Sequence, residues 1–209
     1  MKLPVLKIDG TPSGKEVTLD DAIFGITPND HAIYLDVKQY LANQRQGTAK
    51  SKERWEINRS TKKIGRQKGG GGARHGATKS CIWVGGARTF GPQPRSYSFK
   101  LNKKLKQLAR LSALSYKAQA EAITLVEQFD MEAPKTKEFL QILANIKAGS
   151  RKVLFVLPEN SSNIYLSSRN LPEVKVVTVD ELNTYTIMNS CSMVLVDGVQ
   201  DILASRIRR

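Results

Sequence analysis

Cysteine, histidine and long apolar runs are scarce in this sequence, and each shortage closes off a class of protein. Its 209 residues include only two cysteines, Cys81 and Cys191. These are too few for a disulfide-stapled secreted scaffold and fit a reducing compartment. His31, His75 and the two thiols are scattered without the paired spacing of metal ligands, so no metal is expected. The longest apolar runs, such as VLFVL at 153–157, fall far short of the roughly 20 residues a membrane helix needs. The opening MKLPVLKIDG has no apolar h-region, so a cytoplasmic location rather than export is expected.

Acids are missing as well, but only locally. Positions 45–110 hold 18 Lys or Arg and two acids, Glu53 and Glu56, a net +16. The rest of the chain holds 15 bases and 17 acids, a net −2, so a near-neutral body carries one intensely basic segment. Ten of the fifteen glycines fall within 45–95, where large apolar residues are few. Such a stretch cannot offset its ordering entropy by burial and is expected to need an external scaffold. At ~3.3 Å per residue, limbs of about 25 residues would reach roughly 80 Å if fully extended.

A solvated linker would satisfy the composition, but a linker separates two domains, and the residues before this segment are too few for an independent core. The cations are also interleaved with both tryptophans, Trp55 and Trp83, and with Phe90. Flat rings among phosphate-binding cations are what irregular RNA is gripped with. The expected organisation is therefore a globular domain of 1–42 plus 98–209, interrupted at 43–97 by an RNA-binding arm. The candidate contacts are Arg45, Lys50, Lys52, Arg54, Trp55, Arg59, Lys62, Lys63, Arg66, Gln67, Lys68, Arg74, His75, Lys79, Trp83, Arg88, Arg95, Lys100, Lys103 and Lys104.

In the body, KLPVLKI and KEVTL read as strands joined by the turn cluster DGTPSG. A helix follows, capped by Asn29 or Asp30, with Ile33, Val37, Tyr40 and Leu41 at helical spacing as far as Gly47. Beyond the arm, Asn102 is placed to cap a helix burying Leu105, Leu108, Ala109, Ser112 and Tyr116 and exposing Lys103, Lys104 and Lys106. Then apolar runs alternate with amphipathic segments: AITLVE, a helix through Phe139, Leu140, Leu143 and Ile146, KVLFVLP, a short helix near Ile164, VKVVTV, a helix after Asp180, SMVLVD, and a last helix over 199–207. This alternation predicts a doubly wound, mainly parallel α/β sheet with helices on both faces.

Tests for chemistry fail. In GxGxxG the third glycine is replaced by Arg74 counting from Gly69, and by His75 counting from Gly70; the P-loop pattern fits Gly71 and Gly76 but meets Ala77 where lysine is required. Cys81 and His75 have no third orienting group, so no nucleophilic site is expected. An enzyme, a bound cofactor and a small-molecule substrate are all disfavoured. A DNA-binding factor would need a helix-turn-helix or basic-zipper pattern, and neither accompanies the charge.

The runs NQRQGT (43–48), RQKGGGGARHG (66–76), KSCIW (79–83), FGPQPRSYSFKLNKK (90–104), ARLSALSYK (109–117) and EAPKTK (132–137) resemble the bacterial branch of the universal large-subunit ribosomal protein four family. The resemblance spans essentially the whole chain. It implies a structural constituent of the large ribosomal subunit, with the body on its surface and the arm threaded into ribosomal RNA, supporting assembly and translation. It further implies that the tip, Arg66, Gln67, Lys68, Gly69, Gly70, Gly71 and Gly72, lies near the peptide exit tunnel, and that Arg74, His75, Lys79 and Trp83 pack against RNA. Partners would be large-subunit ribosomal RNA, neighbouring ribosomal proteins and the nascent peptide, with no membrane. The chain departs from the family pattern at Gly65, Gly70, Gly72, Cys81 and Val84, where tryptophan, threonine, arginine, proline and arginine are common. The alternative reading is a standalone RNA-binding translational regulator or RNA chaperone.

Overall fold

A computed structural model describes residues 1–147 and 151–207. The chain divides into two compact units, Met1–Leu41 with Lys100–Arg209, and Ala42–Phe99.

The first unit begins with a hairpin of β1 (Lys2–Leu6) and β2 (Pro12–Thr18), antiparallel with Leu3 opposite Val17 and a register shift between Pro4 and Leu6. Gly10 closes its turn at φ +78°, and a Cβ there would lie 2.2 Å from the Asn145 carbonyl oxygen. Only glycine satisfies both demands. A single-turn helix, α1 (Asp21–Phe24), follows, capped by Asp20, whose Oδ1 accepts from the Ala22 amide at 3.0 Å. It is too short to show helical periodicity, which is why the sequence did not predict it.

Helix α2 (Asp30–Asn43) is capped by Asn29, whose Oδ1 accepts from the Ala32 amide at 3.0 Å. It stops four residues short of Gly47, and its buried face differs from the predicted one, with Gln39 buried and Leu41 exposed. Helix α3 (Lys103–Gln119) starts after Asn102, whose side chain makes no capping bond. Its buried face is Ala109, Ser112, Ala113, Leu114, Ser115 and Ala118, whereas Leu108 is exposed. Small residues line this face because it packs closely on α1: Ser115 Oγ donates to the Ile23 carbonyl at 3.4 Å, and Ser112 Oγ accepts from the Asn29 amide at 3.1 Å. Tyr116, expected in the buried face, is half-buried and donates to Asp30 Oδ1 at 2.5 Å.

The remaining elements alternate: β3 (Ile123–Val126), α4 (Thr136–Asn145), β4 (Val153–Leu157), α5 (Ser162–Ser168), β5 (Val174–Thr178), α6 (Thr184–Asn189), β6 (Ser192–Val196) and α7 (Val199–Ile207). The six strands lie in the order β2-β1-β3-β6-β4-β5, with β1 and β3 to β6 parallel. From β3 the chain moves outward to β4 and β5, then returns to insert β6 between β3 and β4. Right-handed crossovers in opposite directions put α6 on the other face from α4 and α5. Accordingly α3 packs on α6 while α4 packs on α5. This is a doubly wound, mainly parallel α/β fold.

Burial explains the apolar runs. Every residue of β4 is buried, because it lies between β5 and β6 with both faces covered. Phe155 packs against Phe139 at 5.5 Å between ring centroids and meets Phe129 edge-on at 6.4 Å. The edge strand β5 is more open, with Lys175 exposed, a charge that discourages pairing of a bare strand edge. A half-buried polar tie joins distant helices: the Thr184 hydroxyl donates to Asp36 Oδ2 at 2.6 Å, beside the stacked rings of Tyr40 and Tyr185.

Candidate nucleic-acid interface

The unit Ala42–Phe99 contains no helix and no strand of its own, and its single β-bridge pairs Lys63 with Ala77. Ala77 is its one buried apolar residue among those described. Its two limbs nevertheless run side by side, tied by hydrogen bonds. From the base outward, the Phe99 amide donates to Asn43 Oδ1 (3.3 Å), Arg95 to the Gly47 carbonyl (3.1 Å), Ser51 to Pro92 (3.0 Å) and Arg88 to Lys52 (3.1 Å). Farther out, Arg59 Nη1 donates to the Val84 carbonyl at 2.8 Å, Thr78 Oγ1 to Ser60 at 3.0 Å, and Ile64 N to Gly76 at 3.3 Å. The limbs contact each other through polar groups rather than through burial. Turns at 53–56, 77–80, 80–83 and 83–86 also shorten the limbs relative to full extension.

The base is held by a ring and two guanidiniums. Arg45 lies 3.8 Å and Arg95 4.6 Å from the Tyr97 ring centroid. The hydrogen bond with Arg95, aided by both positive charges, lowers the Tyr97 phenol pKa below its ordinary value. Gly47 makes the close approach possible, at φ +67° with a virtual Cβ only 2.0 Å from the Arg95 carbonyl oxygen.

The two acids of this basic stretch act inward. Glu53 accepts from Trp55 Nε1 and from Gln93 Nε2 on the opposite limb, both at 2.5 Å. Glu56 pairs with Lys50 and accepts from the Glu53 amide at 3.0 Å, and the Lys50 hydrogen bond lowers its pKa. Among the described residues this is the one ion pair that engages a predicted RNA-contacting cation.

The predicted residues thus fall into groups. Lys52, Arg54, Lys62, Arg66, Gln67, Lys68, Arg74 and Arg88 are exposed, as are Gly69, Gly70, Gly71 and Gly72 of the tip. Lys63 is exposed and donates to Gln67, whereas Lys79 is half-buried. Arg45, Lys50, Arg59 and Arg95 already hold protein groups. Trp55 is exposed beneath Lys50, 5.6 Å from its ring centroid. Trp83 is half-buried against His75, with ring centroids 5.2 Å apart. Lys100, Lys103 and Lys104 are exposed but belong to the other unit. Sequence reasoning did not place Tyr97, Gln93 or Phe90 among the site residues. Tyr97 and Gln93 lie in the motif FGPQPRSYS, but their pairing with the other limb depends on contacts about 40 to 50 residues apart that no local pattern encodes.

The body offers the crevice where doubly wound sheets usually bind ligands, at the carboxyl ends of β3, β4 and β6. It has a volume of about 440 Å³. Its loops are tied to each other: Ser161 Oγ donates to Asp130 Oδ1 at 3.0 Å, and Asn163 Nδ2 to the Met131 carbonyl at 2.6 Å. Among the described residues no group of three or more His, Cys, Asp or Glu is arranged to hold a metal, and no helix is long and apolar enough to cross a membrane. Cys81, exposed, has its thiol pKa lowered chiefly by a hydrogen bond with Thr89.

Comparison with known proteins gives a consistent answer. The large ribosomal subunit protein uL4 of Parabacteroides distasonis is 62% identical over 198 residues, covering 95% of each chain. That of Phocaeicola vulgatus is 59% identical over the same coverage, and that of Flavobacterium johnsoniae 51% identical over 209 residues and 100% of both chains. The model of the ribosomal protein L4/L1 family matches residues 17–205. With the sheet, the inserted basic hairpin and this near-complete match in hand, the chain belongs to the ribosomal protein L4/L1 family.

Proposed function

We propose that this protein binds large-subunit ribosomal RNA through residues 43–97, with 1–42 and 98–209 as the globular body. Family membership makes it a ribosomal structural protein rather than an enzyme. The finer reading rests chiefly on one observation: a +16 stretch is carried largely on a unit that buries a single apolar residue among those described and exposes most of its cations. Such a surface repels itself until a polyanion neutralises it. RNA phosphates do so, and glycine-rich backbone allows close approach to them.

In this reading Arg54, Lys62, Arg66, Lys68, Arg74 and Arg88 neutralise phosphates directly, while Arg45, Arg59 and Arg95 also hold the hairpin together. The tip, 66–72, lies near the exit tunnel and the nascent peptide, and the protein works in the cytoplasm within the ribosome beside other large-subunit proteins. Its contribution is architectural, fixing RNA segments during assembly.

The test is binding to transcribed large-subunit ribosomal RNA fragments across a salt series. Affinity is expected to fall with a slope of roughly −0.7 to −0.9 per phosphate contact. A variant lacking residues 51–89 should keep cooperative unfolding and lose that binding. Salt-independent binding, or full affinity in the deletion, would refute the assignment. On sucrose gradients the protein should stay with large subunits in high salt, whereas a free regulator would wash off.

A further inference from the structure

We propose that Phe90 is a base-stacking residue, an aromatic platform displayed to an unpaired RNA base; this rests on the RNA-binding reading above. Three observations carry it. The ring is completely exposed, at 103% of its reference accessibility, in a residue type that ordinarily seeks burial. Its backbone sits at φ +53°, one of three non-glycine residues described with positive φ. For a bulky residue this is a strained conformation, and strain retained without local packing points to use by a partner.

The third observation is the mounting. Phe90 is the apex of a short loop pinned to the opposite limb on both sides: Arg88 N donates to the Lys52 carbonyl at 3.1 Å, and Ser51 N to the Pro92 carbonyl at 3.0 Å. Gln93 continues the attachment through Glu53. Gly91 completes it, since a Cβ there would meet the Ser51 side chain at 2.6 Å and Arg88 Cγ at 2.9 Å. The ring is thus carried on a backbone pinned at both sides, so little backbone freedom is left to lose when a base stacks on it.

Charge decides the occupant. The loop is flanked by the exposed cations Lys52 and Arg88, which repel a basic protein surface and attract a phosphate backbone. A base offers the flat face that an exposed ring takes, and stacking is indifferent to base identity. Trp83, the aromatic of the returning limb expected to pack against RNA, is half-buried against His75. Of the two rings, Phe90 is the more exposed.

The experiment measures affinity of the full-length protein for transcribed large-subunit ribosomal RNA fragments, by filter binding across a salt series. Phe90→Ala is expected to weaken binding roughly 5- to 150-fold, the worth of one stacked base, with an unchanged salt slope. Phe90→Tyr should retain wild-type affinity. Phe90→Gly, which adopts positive φ freely, should lose as much as Phe90→Ala. Arg88→Ala should behave differently, flattening the slope by about 0.7 to 0.9.

Wild-type affinity in Phe90→Ala would overturn the proposal, as would full affinity in Phe90→Gly alone, which would make the backbone rather than the ring responsible. If Phe90→Ala binds RNA normally but fails to join other ribosomal proteins in reconstituted subunits, the ring serves a protein partner and the proposal is wrong. Failure of the wild-type protein to bind RNA in a salt-dependent way would instead strike the proposed function itself.

Discussion

The sheet body and the inserted hairpin are parts of one chain that hold their shape by opposite means. In the body, β4 buries all five of its residues and Phe139, Phe155, Leu114 and Met193 are wholly or almost wholly enclosed. In the hairpin, Ala77 alone among the described apolar residues is buried, while Trp55, Ile82, Val84 and Phe90 stand in solvent. Its limbs are joined by solvent-facing hydrogen bonds, each worth a net of about 0.5–1.5 kcal/mol. Apolar burial is cooperative and hard to open locally, whereas such polar ties open one at a time. A body built the first way is expected to stay folded as a unit, whereas a hairpin built the second way is expected to open locally.

The comparison is broken most severely in the core. Phe155→Ala removes the ring on which Phe129 and Phe139 pack, and is expected to cost about 3–5 kcal/mol. Urea unfolding followed by circular dichroism measures that loss. Hydrogen exchange within 43–97, compared below the unfolding transition, should hardly change.

A smaller effect is expected at the base of the hairpin. In Gly47→Ala the new Cβ meets the Arg95 carbonyl oxygen at a position where φ is +67°. A cost of about 1 kcal/mol or more falls on the local structure. Amides of the paired limbs, Arg95 and Ser51 among them, should exchange faster, while the body's urea midpoint stays where it is. A shifted midpoint would mean that the two units share their stability.

The smallest effect distinguishes two tyrosines. Tyr97 has its pKa lowered by Arg95 first and by the nearby guanidinium charges, whereas Tyr116 has its pKa raised by its hydrogen bond to Asp30. Tyrosinate absorbance of Tyr97→Phe and Tyr116→Phe, subtracted from wild type, should show Tyr97 ionising below the ordinary phenol value and Tyr116 above it. The linked stability has opposite signs. The Tyr97 contribution is present above the ordinary value and lost as pH falls through the lowered one. The Tyr116 contribution is present below the ordinary value and lost as pH rises through the raised one. Tyr97 titrating above Tyr116 would contradict the guanidinium clamp.

How far the sequence could be read depended on the range of the contacts involved. The strands of the second half were legible because continuous apolar runs such as VLFVL have no other stable place than a sheet covered on both faces. Their alternation with amphipathic helices also carried the fold class. The helix faces were read less well. Leu108 and Leu41 fit the 3.6-residue period yet are exposed, while Gln39 is buried; Ser112 was read correctly. Within the candidate interface, the exposed cations were evident from charge alone, but the inward roles of Glu53, Glu56 and Tyr97 were not.

By itself, then, the sequence determined a near-neutral α/β body interrupted by a basic, glycine-rich insertion, because composition and periodicity are local properties that survive without knowledge of neighbours. Only the tertiary structure decided that the insertion's limbs pair, that its two acids tie Trp55, Gln93 and Lys50, and that Phe90 is held outward at positive φ. These features arise where residues tens of positions apart meet, and a hydrogen bond or a backbone angle at such a meeting is set by geometry that no run of letters contains.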